Sequence, residues 1–239
     1  HKSNNLLRNT QLMHPIPSPF ILITGATGGL GRALSLEAAR RGARLILLGR
    51  KPEALMALAD EIVAQGGAEP LLHAMDFAGA QAEDYLMLLE LLGQHMERLD
   101  ALVHLAADIA APAPLAHVDP SAWNRVMRVN LTAPFLLTRT CLPLLRQAQA
   151  DRKAGKVIFV TDDNPACYLG AYAISKAALS RQAAQWADEN PDICVEAFTP
   201  PAMPTALYAR IYPGRAPDGL TPVHEVAQKL LQQTYASPR

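Results

Sequence analysis

Glycines cluster near the start of the chain, in the segment TGATGGLG at residues 24–31. The apolar run FILIT precedes them at residues 20–24, and an amphipathic pattern follows at residues 32–41. Glycines allow a tight turn between a strand and a helix, and the free N–H groups at the helix start attract an anion. A tight turn alone also requires glycine, but in this context the segment predicts a dinucleotide-binding turn.

Residues after the second apolar run distinguish between two dinucleotides. An acidic side chain about 20 residues beyond the glycines binds the ribose 2′-hydroxyl of NAD, but the chain has Gly49 and Arg50 there. The guanidinium of Arg50 suits a 2′-phosphate, so the sequence predicts NADP; the alternative is a solvated loop arginine. Asp76, after the third run, is either an acceptor for the adenine amino group or a solvated loop residue.

Short apolar runs alternate with longer helical patterns along the chain. The predicted strands lie at residues 20–24, 44–48, 69–75, 101–105, 156–161 and 194–198. The predicted helices lie at residues 32–41, 52–65, 82–96, 120–149, 170–188 and 222–234. This alternation predicts an α/β fold, a Rossmann-type doubly wound parallel sheet with helices on both faces. We expect residues 1–19 to be a loose N-terminal arm and residues 20–239 to form a single dinucleotide-binding domain. Pro134 and Pro143 predict a bend or break in the pattern at residues 120–149.

Composition limits the partners of the chain. Lys+Arg and Asp+Glu number 22 each, so the formal net charge is +0. This balance gives no electrostatic reason to expect nucleic acid or an anionic membrane as a partner. No apolar run approaches the roughly 18 residues that span a bilayer. The three cysteines have no metal-binding spacing, so we expect no metal and a reducing, cytoplasmic location.

Tyr172 and Lys176 stand four residues apart in the predicted helix at residues 170–188. Residues at this spacing share one helix face. A nearby ammonium favours the phenolate and lowers the pKa of a tyrosine from about 10, which makes the phenol a usable acid or base near neutral pH. Together with the dinucleotide-binding turn, the pair predicts hydride transfer; the alternative is an ordinary, half-exposed helix pair.

These motifs together resemble the short-chain dehydrogenase/reductase family, in its classical, single-domain branch. Besides the glycine turn, the resemblance includes LDALVHLAA at residues 99–107, VNLT at residues 129–132 and YAISK at residues 172–176. It implies that Tyr172 is the general acid or base at the substrate carbonyl or hydroxyl. It also implies that Lys176 lowers the pKa of the tyrosine and holds the nicotinamide ribose, and that Asn130 supports a water that relays protons.

The resemblance also implies the activity, the cofactor site and the assembly. We expect an NADP(H)-dependent oxidoreductase that interconverts a carbonyl and a secondary alcohol. The expected cofactor-binding residues are Gly25, Thr27, Gly28, Gly29, Leu30, Gly31, Arg50, Asp76, Ala106 and Lys176. We expect a homodimer formed by the helices at residues 120–149 and 170–188. Five leucines exceed what one helix face against a sheet requires, unless all are buried in the monomer: Leu136, Leu137, Leu142, Leu144 and Leu145.

The chain departs from the family pattern at the fifth strand, where the catalytic serine of the family aligns with Asp162. An ionised carboxylate only accepts hydrogen bonds, so Asp162 would repel a developing alkoxide and could pair with Lys176 instead. Two alternatives would restore a donor: Thr161 could supply its hydroxyl, or Asp162 could be held protonated by burial.

Two further departures lie near the expected nicotinamide and substrate. Pro201 replaces the usual glycine after the sixth strand, which removes a backbone N–H, and no apolar run for a seventh strand follows. We therefore expect the last edge strand of the sheet to be missing. These departures support a second hypothesis, a catalytically impaired family member that binds NADP(H) and a ligand or partner without efficient turnover.

Overall fold

Six parallel strands form one sheet in the order β3-β2-β1-β4-β5-β6. The computed structural model describes residues 18–148, 155–163, 167–214 and 218–236. The strands are β1 (Phe20–Thr24), β2 (Arg44–Gly49), β3 (Leu71–Ala74), β4 (Ala101–His104), β5 (Lys156–Val160) and β6 (Cys194–Phe198). The strand order reverses between β1 and β4, and this reversal is the position where doubly wound sheets bind their ligands.

Helices cover both faces of the sheet. They are α1 (Gly29–Arg40), α2 (Pro52–Ala64), α3 (Ala82–His95), α4 (Pro120–Met127), α5 (Ala133–Gln147), α6 (Gly170–Glu189), α7 (Ala206–Ile211) and α8 (Val223–Tyr235). Successive β1 side chains point to opposite faces: Leu22 packs in a core with α3, α5 and α6, whereas Ile21 and Ile23 pack with α1, α2 and α8. Each fully buried side chain of this kind contributes roughly 1.5–3 kcal/mol to stability. The predicted α/β architecture is confirmed.

The pattern at residues 120–149 forms α4 and α5, joined by a π-helical turn at Arg128–Thr132. In a regular α-helix the ring of Pro134 would clash with the carbonyl of Asn130, and the wider turn accommodates it. Pro143 lies inside α5 without ending it. The predicted break is therefore the π-helical turn before Pro134. At Pro143 there is no break, because α5 continues through it, and a bend there stays a prediction.

The leucines that we cited for a dimer are largely used inside the monomer. Leu137 and Leu145 are fully buried, and Leu144 is 8% exposed. Leu136 and Leu142 are half-buried and pack against the same core. These side chains therefore do not support the predicted homodimer, which stays a prediction. The exposed apolar side chains on the two helices are instead Phe135 and Ile174.

Several predictions concern the ends of the chain. Of the predicted arm at residues 1–19, residues 1–17 lie outside the described residues. Between β6 and residue 236, the described part of the chain forms α7 and α8 and no seventh strand, so β6 is the edge of the sheet described here. That residues 20–239 form a single domain stays a prediction. None of the helices in the described ranges combines the length and apolar character that crossing a membrane requires.

Candidate active site

The segments that follow β1, β4 and β5 meet at one edge of the sheet, because the carboxyl ends of parallel strands lie together. The glycine turn after β1 packs directly on the segment after β4. A Cβ added at Gly25, whose φ is +62°, would lie 2.8 Å from the backbone of Ala106. The hydroxyl of Thr24 accepts hydrogen bonds from the N–H groups of Leu105, at 3.0 Å, and Ala106, at 3.1 Å. Only glycine at residue 25 permits this close approach.

The rest of the turn brings backbone to the surface at the start of α1. Gly28 and Gly29 are exposed, and a Cβ at Gly31 would lie 2.1 Å from the carbonyl oxygen of Gly25. The first turn of a helix directs its N–H groups outward along the axis, so this surface suits a pyrophosphate. Leu30 is buried in the core, so only its backbone can contribute to such a site.

Arg50 lies beside the glycine turn at the end of β2. A Cβ at the preceding residue, Gly49, would lie 3.5 Å from the hydroxyl of Thr27, and Arg50 is exposed. Asp76 is exposed as well, and its Oδ1 accepts a hydrogen bond of 3.1 Å from the N–H of Ala78. Arg50 is therefore placed where a 2′-phosphate could reach it, whereas Asp76 closes its own turn.

Tyr172 and Asp162 are joined directly. The phenol of Tyr172, in the first turn of α6, donates a hydrogen bond of 2.7 Å to Oδ2 of Asp162, just after β5. Tyr172 is buried and Asp162 half-buried. Burial, and then the negative charge of Asp162 and this hydrogen bond, raise the pKa of Tyr172. This direction contradicts our prediction of a lowered pKa, because burial and, after it, the anionic partner both favour the neutral phenol.

Lys176 lies one helical turn beyond Tyr172 and is buried. Its ammonium donates a hydrogen bond of 2.8 Å to the carbonyl oxygen of Val160 and lies 6.0 Å from the centroid of the Tyr172 ring. Burial lowers the pKa of Lys176 to about 8, although the nearby Asp162 opposes this shift. The predicted pair is thus on one helix face, but the ammonium is directed to the end of β5.

Asn130 lies in the π-helical turn and is fully buried. Its amide donates hydrogen bonds to the carbonyl oxygen of Asp108, at 2.9 Å, and to the hydroxyl of Ser175, at 3.0 Å. Its Oδ1 accepts a hydrogen bond of 2.7 Å from the N–H of Asp108. Asn130 therefore fixes the loop after β4 against α6, and its predicted part in a proton relay stays a prediction.

Thr161 does not replace the missing serine. Its hydroxyl shares a hydrogen bond of 2.8 Å with the hydroxyl of Thr199, and its N–H donates to the carbonyl oxygen of Phe198. These contacts join the end of β5 to the end of β6. The residue in contact with that phenol is Asp162.

The family model of short chain dehydrogenases matches residues 19–216. The chain belongs to the short-chain dehydrogenase family. It is 33% identical over 204 residues to the uncharacterized oxidoreductase YciK of Escherichia coli (strain K12), a match that covers 84% of this chain and 79% of that protein. The family predicted from the motifs is confirmed.

Solved structures agree with this assignment. A short chain dehydrogenase from Shigella flexneri 2a str. 301, complexed with NADP, is 30% identical with a TM-score of 0.85, and 90% of each chain is covered. A second, from Escherichia coli CFT073, complexed with NADPH, is 32% identical with a TM-score of 0.85, again with 90% of each chain covered. This dehydrogenase is therefore an oxidoreductase of the same fold and family.

A charged cluster beside the site of this dehydrogenase escaped the sequence analysis. Asp108, after β4, accepts a hydrogen bond of 2.6 Å from Arg125, and Arg210 lies 3.5 Å from its other oxygen. Arg210 also donates to the carbonyl oxygen of Ile109. Burial alone would raise the pKa of Asp108, but hydrogen bonds from Arg125 and the N–H of Ile109 lower it. The sequence feature that could have indicated this cluster is a charged residue, Asp108, shortly after β4.

Helix α7, which carries Arg210, also reaches the glycine turn of the dehydrogenase. A Cβ at Gly29 would lie 3.0 Å from Cγ2 of Thr205, the residue that caps α7 by accepting a hydrogen bond from the N–H of Tyr208. The helix therefore lies across the edge of the sheet between the glycine turn and the loop after β4. Its six residues have too little periodicity to be predicted from the proline-rich sequence around them.

Proposed function

We propose that this protein is an NADP(H)-dependent oxidoreductase that interconverts a carbonyl and a secondary alcohol. The observation that carries the proposal is the arrangement at one sheet edge: a glycine turn that exposes backbone at a helix start, and a buried Tyr172 and Lys176 on a single face of α6. Phosphate recognition would thus take place at the glycine turn and proton transfer at the start of α6. We also propose a single domain at residues 20–239, a cytoplasmic location and a homodimer.

The cofactor half of the site fits a dinucleotide phosphate. Gly25 closes on the backbone of Ala106, while Gly28 and Gly29 are exposed and add no side chain of their own to the outer side of the turn. N–H groups at the start of α1 suit the pyrophosphate, and Arg50 suits the 2′-phosphate. Two solved relatives were crystallised with NADP and NADPH, which supports this choice of cofactor.

The other half of the site, around Tyr172, would transfer the proton. When bound, a reduced nicotinamide supplies a hydride to the substrate carbon. In this proposal Tyr172 exchanges a proton with the substrate oxygen, supported by Lys176, which is hydrogen-bonded to the end of β5, and by Asn130, which is hydrogen-bonded to Ser175 of α6. The hydrogen bond from Tyr172 to Asp162 opposes this step, because the phenol proton is already engaged. We therefore expect slow turnover of ordinary ketones.

Cofactor preference tests the first half of the proposal. Calorimetric titration should show that NADPH binds more tightly than NADH, and that Arg50→Ala removes the difference. A charge-assisted contact contributes about 1.5–3 kcal/mol, or about tenfold to a hundredfold in affinity. Lys51→Ala is the matched control, since Lys51 is the exposed cation next along the chain and should leave the preference unchanged.

Turnover tests the second half. NADPH consumption should be measured with a panel of ketones and aldehydes, with and without Tyr172→Phe. Consumption that depends on Tyr172 supports a carbonyl reductase. Tight NADPH binding without consumption of any carbonyl would instead favour the impaired, ligand-binding family member. Equal affinities for NADPH and NADH would contradict the assignment of Arg50.

A further inference from the structure

Helix α3 carries more apolar side chains than its packing on the sheet requires. Its buried stripe, which faces the core, consists of Tyr85, Leu88 and Leu92. Two further apolar side chains lie on the outer side of the helix, where Leu86 is 62% and Met87 is 64% exposed. A helix on the surface of a domain needs one apolar stripe to hold it to the core. The outer apolar side chains of α3 are therefore suited to a second contact.

These side chains lie in a groove with an acidic rim. The α3 groove is lined by Glu83, Leu86, Met87, Leu89 and Glu90. Leu89 is half-buried, and both glutamates are exposed. The whole helix has three acidic residues and no lysine or arginine. A segment that fits this groove would combine apolar side chains with positive charge.

The chain itself contains such a segment at its amino-terminal end. Residues 1–17, HKSNNLLRNTQLMHPIP, lie outside the described residues and before the family match. They include the cations Lys2 and Arg8 and no aspartate or glutamate. Their apolar side chains include the adjacent pair Leu6 and Leu7. The composition of this arm is thus complementary to the α3 groove in both hydrophobicity and charge.

The arm is also attached within reach of the groove. The N–H of Phe20, at the start of β1, donates a hydrogen bond of 2.8 Å to Oδ2 of Asp100, five residues beyond the end of α3. The ring of Phe20 packs against the same core as the buried stripe of α3. The arm therefore leaves the sheet near the carboxyl end of α3, on the side that α3 covers. The helix is about 21 Å long, whereas 17 extended residues span up to about 56 Å.

We propose that residues 1–17 dock in the α3 groove, with the leucines of the arm on its apolar floor and the cations beside its acidic rim. This interaction is independent of the NADP(H) site and of the proposed function. Because the arm is tethered, its effective concentration at the groove is on the order of 1 mM. An intrinsic dissociation constant of about 0.1 mM would then keep about 90% of the molecules docked. The arm that we expected to be loose would thus be held on the domain.

Oxidation of methionine by hydrogen peroxide measures whether the groove is covered. Met56, on α2, is 52% exposed and is the control for Met87 within the same molecule. In the full chain, peptide mass spectrometry should show Met87 oxidised about tenfold more slowly than Met56, because only undocked molecules react. Met75 and Met96 are buried in the core. Their oxidation should stay slow in every variant, which verifies that the fold is intact.

Substitutions in the arm test which segment covers the groove. Leu6→Ser combined with Leu7→Ser removes the adjacent apolar pair and should raise the oxidation rate of Met87 to that of the exposed control. Asn4→Ser combined with Asn5→Ser is the matched control, because it changes two neighbouring polar residues of the same arm. This control should leave Met87 protected.

Substitutions in the groove test the contribution of charge. Glu83→Gln combined with Glu90→Gln keeps the shape of the rim and removes its charge. It should raise the oxidation rate of Met87 about threefold, the effect of losing two exposed ion pairs.

The outcomes identify what occupies the groove. If Met87 reacts as fast as Met56 in the wild-type protein, or if its protection is unchanged by either pair of substitutions, the inference is overturned. Protection that rises with protein concentration and does not depend on the arm would identify a second copy of the chain as the occupant, and would also overturn it. Slow oxidation of Met87 that both the leucine pair and the glutamate pair relieve supports the inference.

Discussion

His104 lies at the carboxyl end of β4, and we expect its burial to destabilise the protein in acid. The side chain is 3% exposed, its Nε2 lies 2.8 Å from the hydroxyl of Thr138, and its ring stacks on Phe159 with 4.8 Å between centroids. Burial, and then the positive charge of Lys176, lower the pKa of His104 from 6.5 to about 3. The folded protein therefore keeps this ring neutral down to strongly acidic pH.

The direction of the pH effect follows from proton binding. The unfolded chain protonates this ring near pH 6.5 and the folded chain only near pH 3, so between these values the unfolded state binds more protons. The free energy of unfolding consequently falls as the pH falls through this window. Each pKa unit corresponds to about 1.36 kcal/mol, so a fall from neutral pH to pH 5 should cost about 2 kcal/mol at this one site.

Urea unfolding at pH 7 and pH 5 measures this contribution. His104→Asn removes the titrating group and keeps a polar side chain near Thr138. We expect the stability lost between the two pH values to be about 2 kcal/mol smaller in this variant than in the wild-type protein. His224→Asn, at an exposed position on α8, is the control and should behave as the wild type. An equal loss of stability in His104→Asn and the wild-type protein would refute the reasoning.

Two other predictions concern the chemistry and the assembly. Asp162→Ser should raise turnover of the ketone cyclopentanone by about 10²-fold, the effect of one donor at a developing oxyanion. Adding Tyr172→Phe should abolish this gain. A gain that survives the loss of the phenol would contradict the role of Tyr172. Sedimentation at micromolar concentration should show a dimer that Phe135→Glu and Ile174→Glu weaken, because both apolar side chains are exposed on α5 and α6. A wild-type protein with the mass of one chain would count against this assembly.

Local patterns in the sequence were enough to predict the sheet and its cofactor edge. A parallel strand covered on both faces must be apolar at nearly every residue, so β1, β2, β4 and β5 stand out as short apolar runs. A side chain at Gly25 or Gly31 would collide with neighbouring backbone atoms. Glycine is therefore required at both positions, and the sequence shows this requirement directly. The four-residue spacing of Tyr172 and Lys176 likewise determines that they share a helix face.

The contacts that the site side chains make were determined by the tertiary structure alone. The sequence identifies Asp162 and Tyr172, but only the packing of α6 on the end of β5 brings the phenol to the carboxylate and raises its pKa. The same holds for Arg210, which reaches Asp108 from a helix that has no readable periodicity. Residue type and spacing are properties of a short segment, whereas the sign of a pKa shift depends on charges and burial contributed by segments distant in the chain. The sequence by itself therefore determined the fold and indicated the candidate site residues, whereas the tertiary structure determined the direction of the pKa shift of Tyr172.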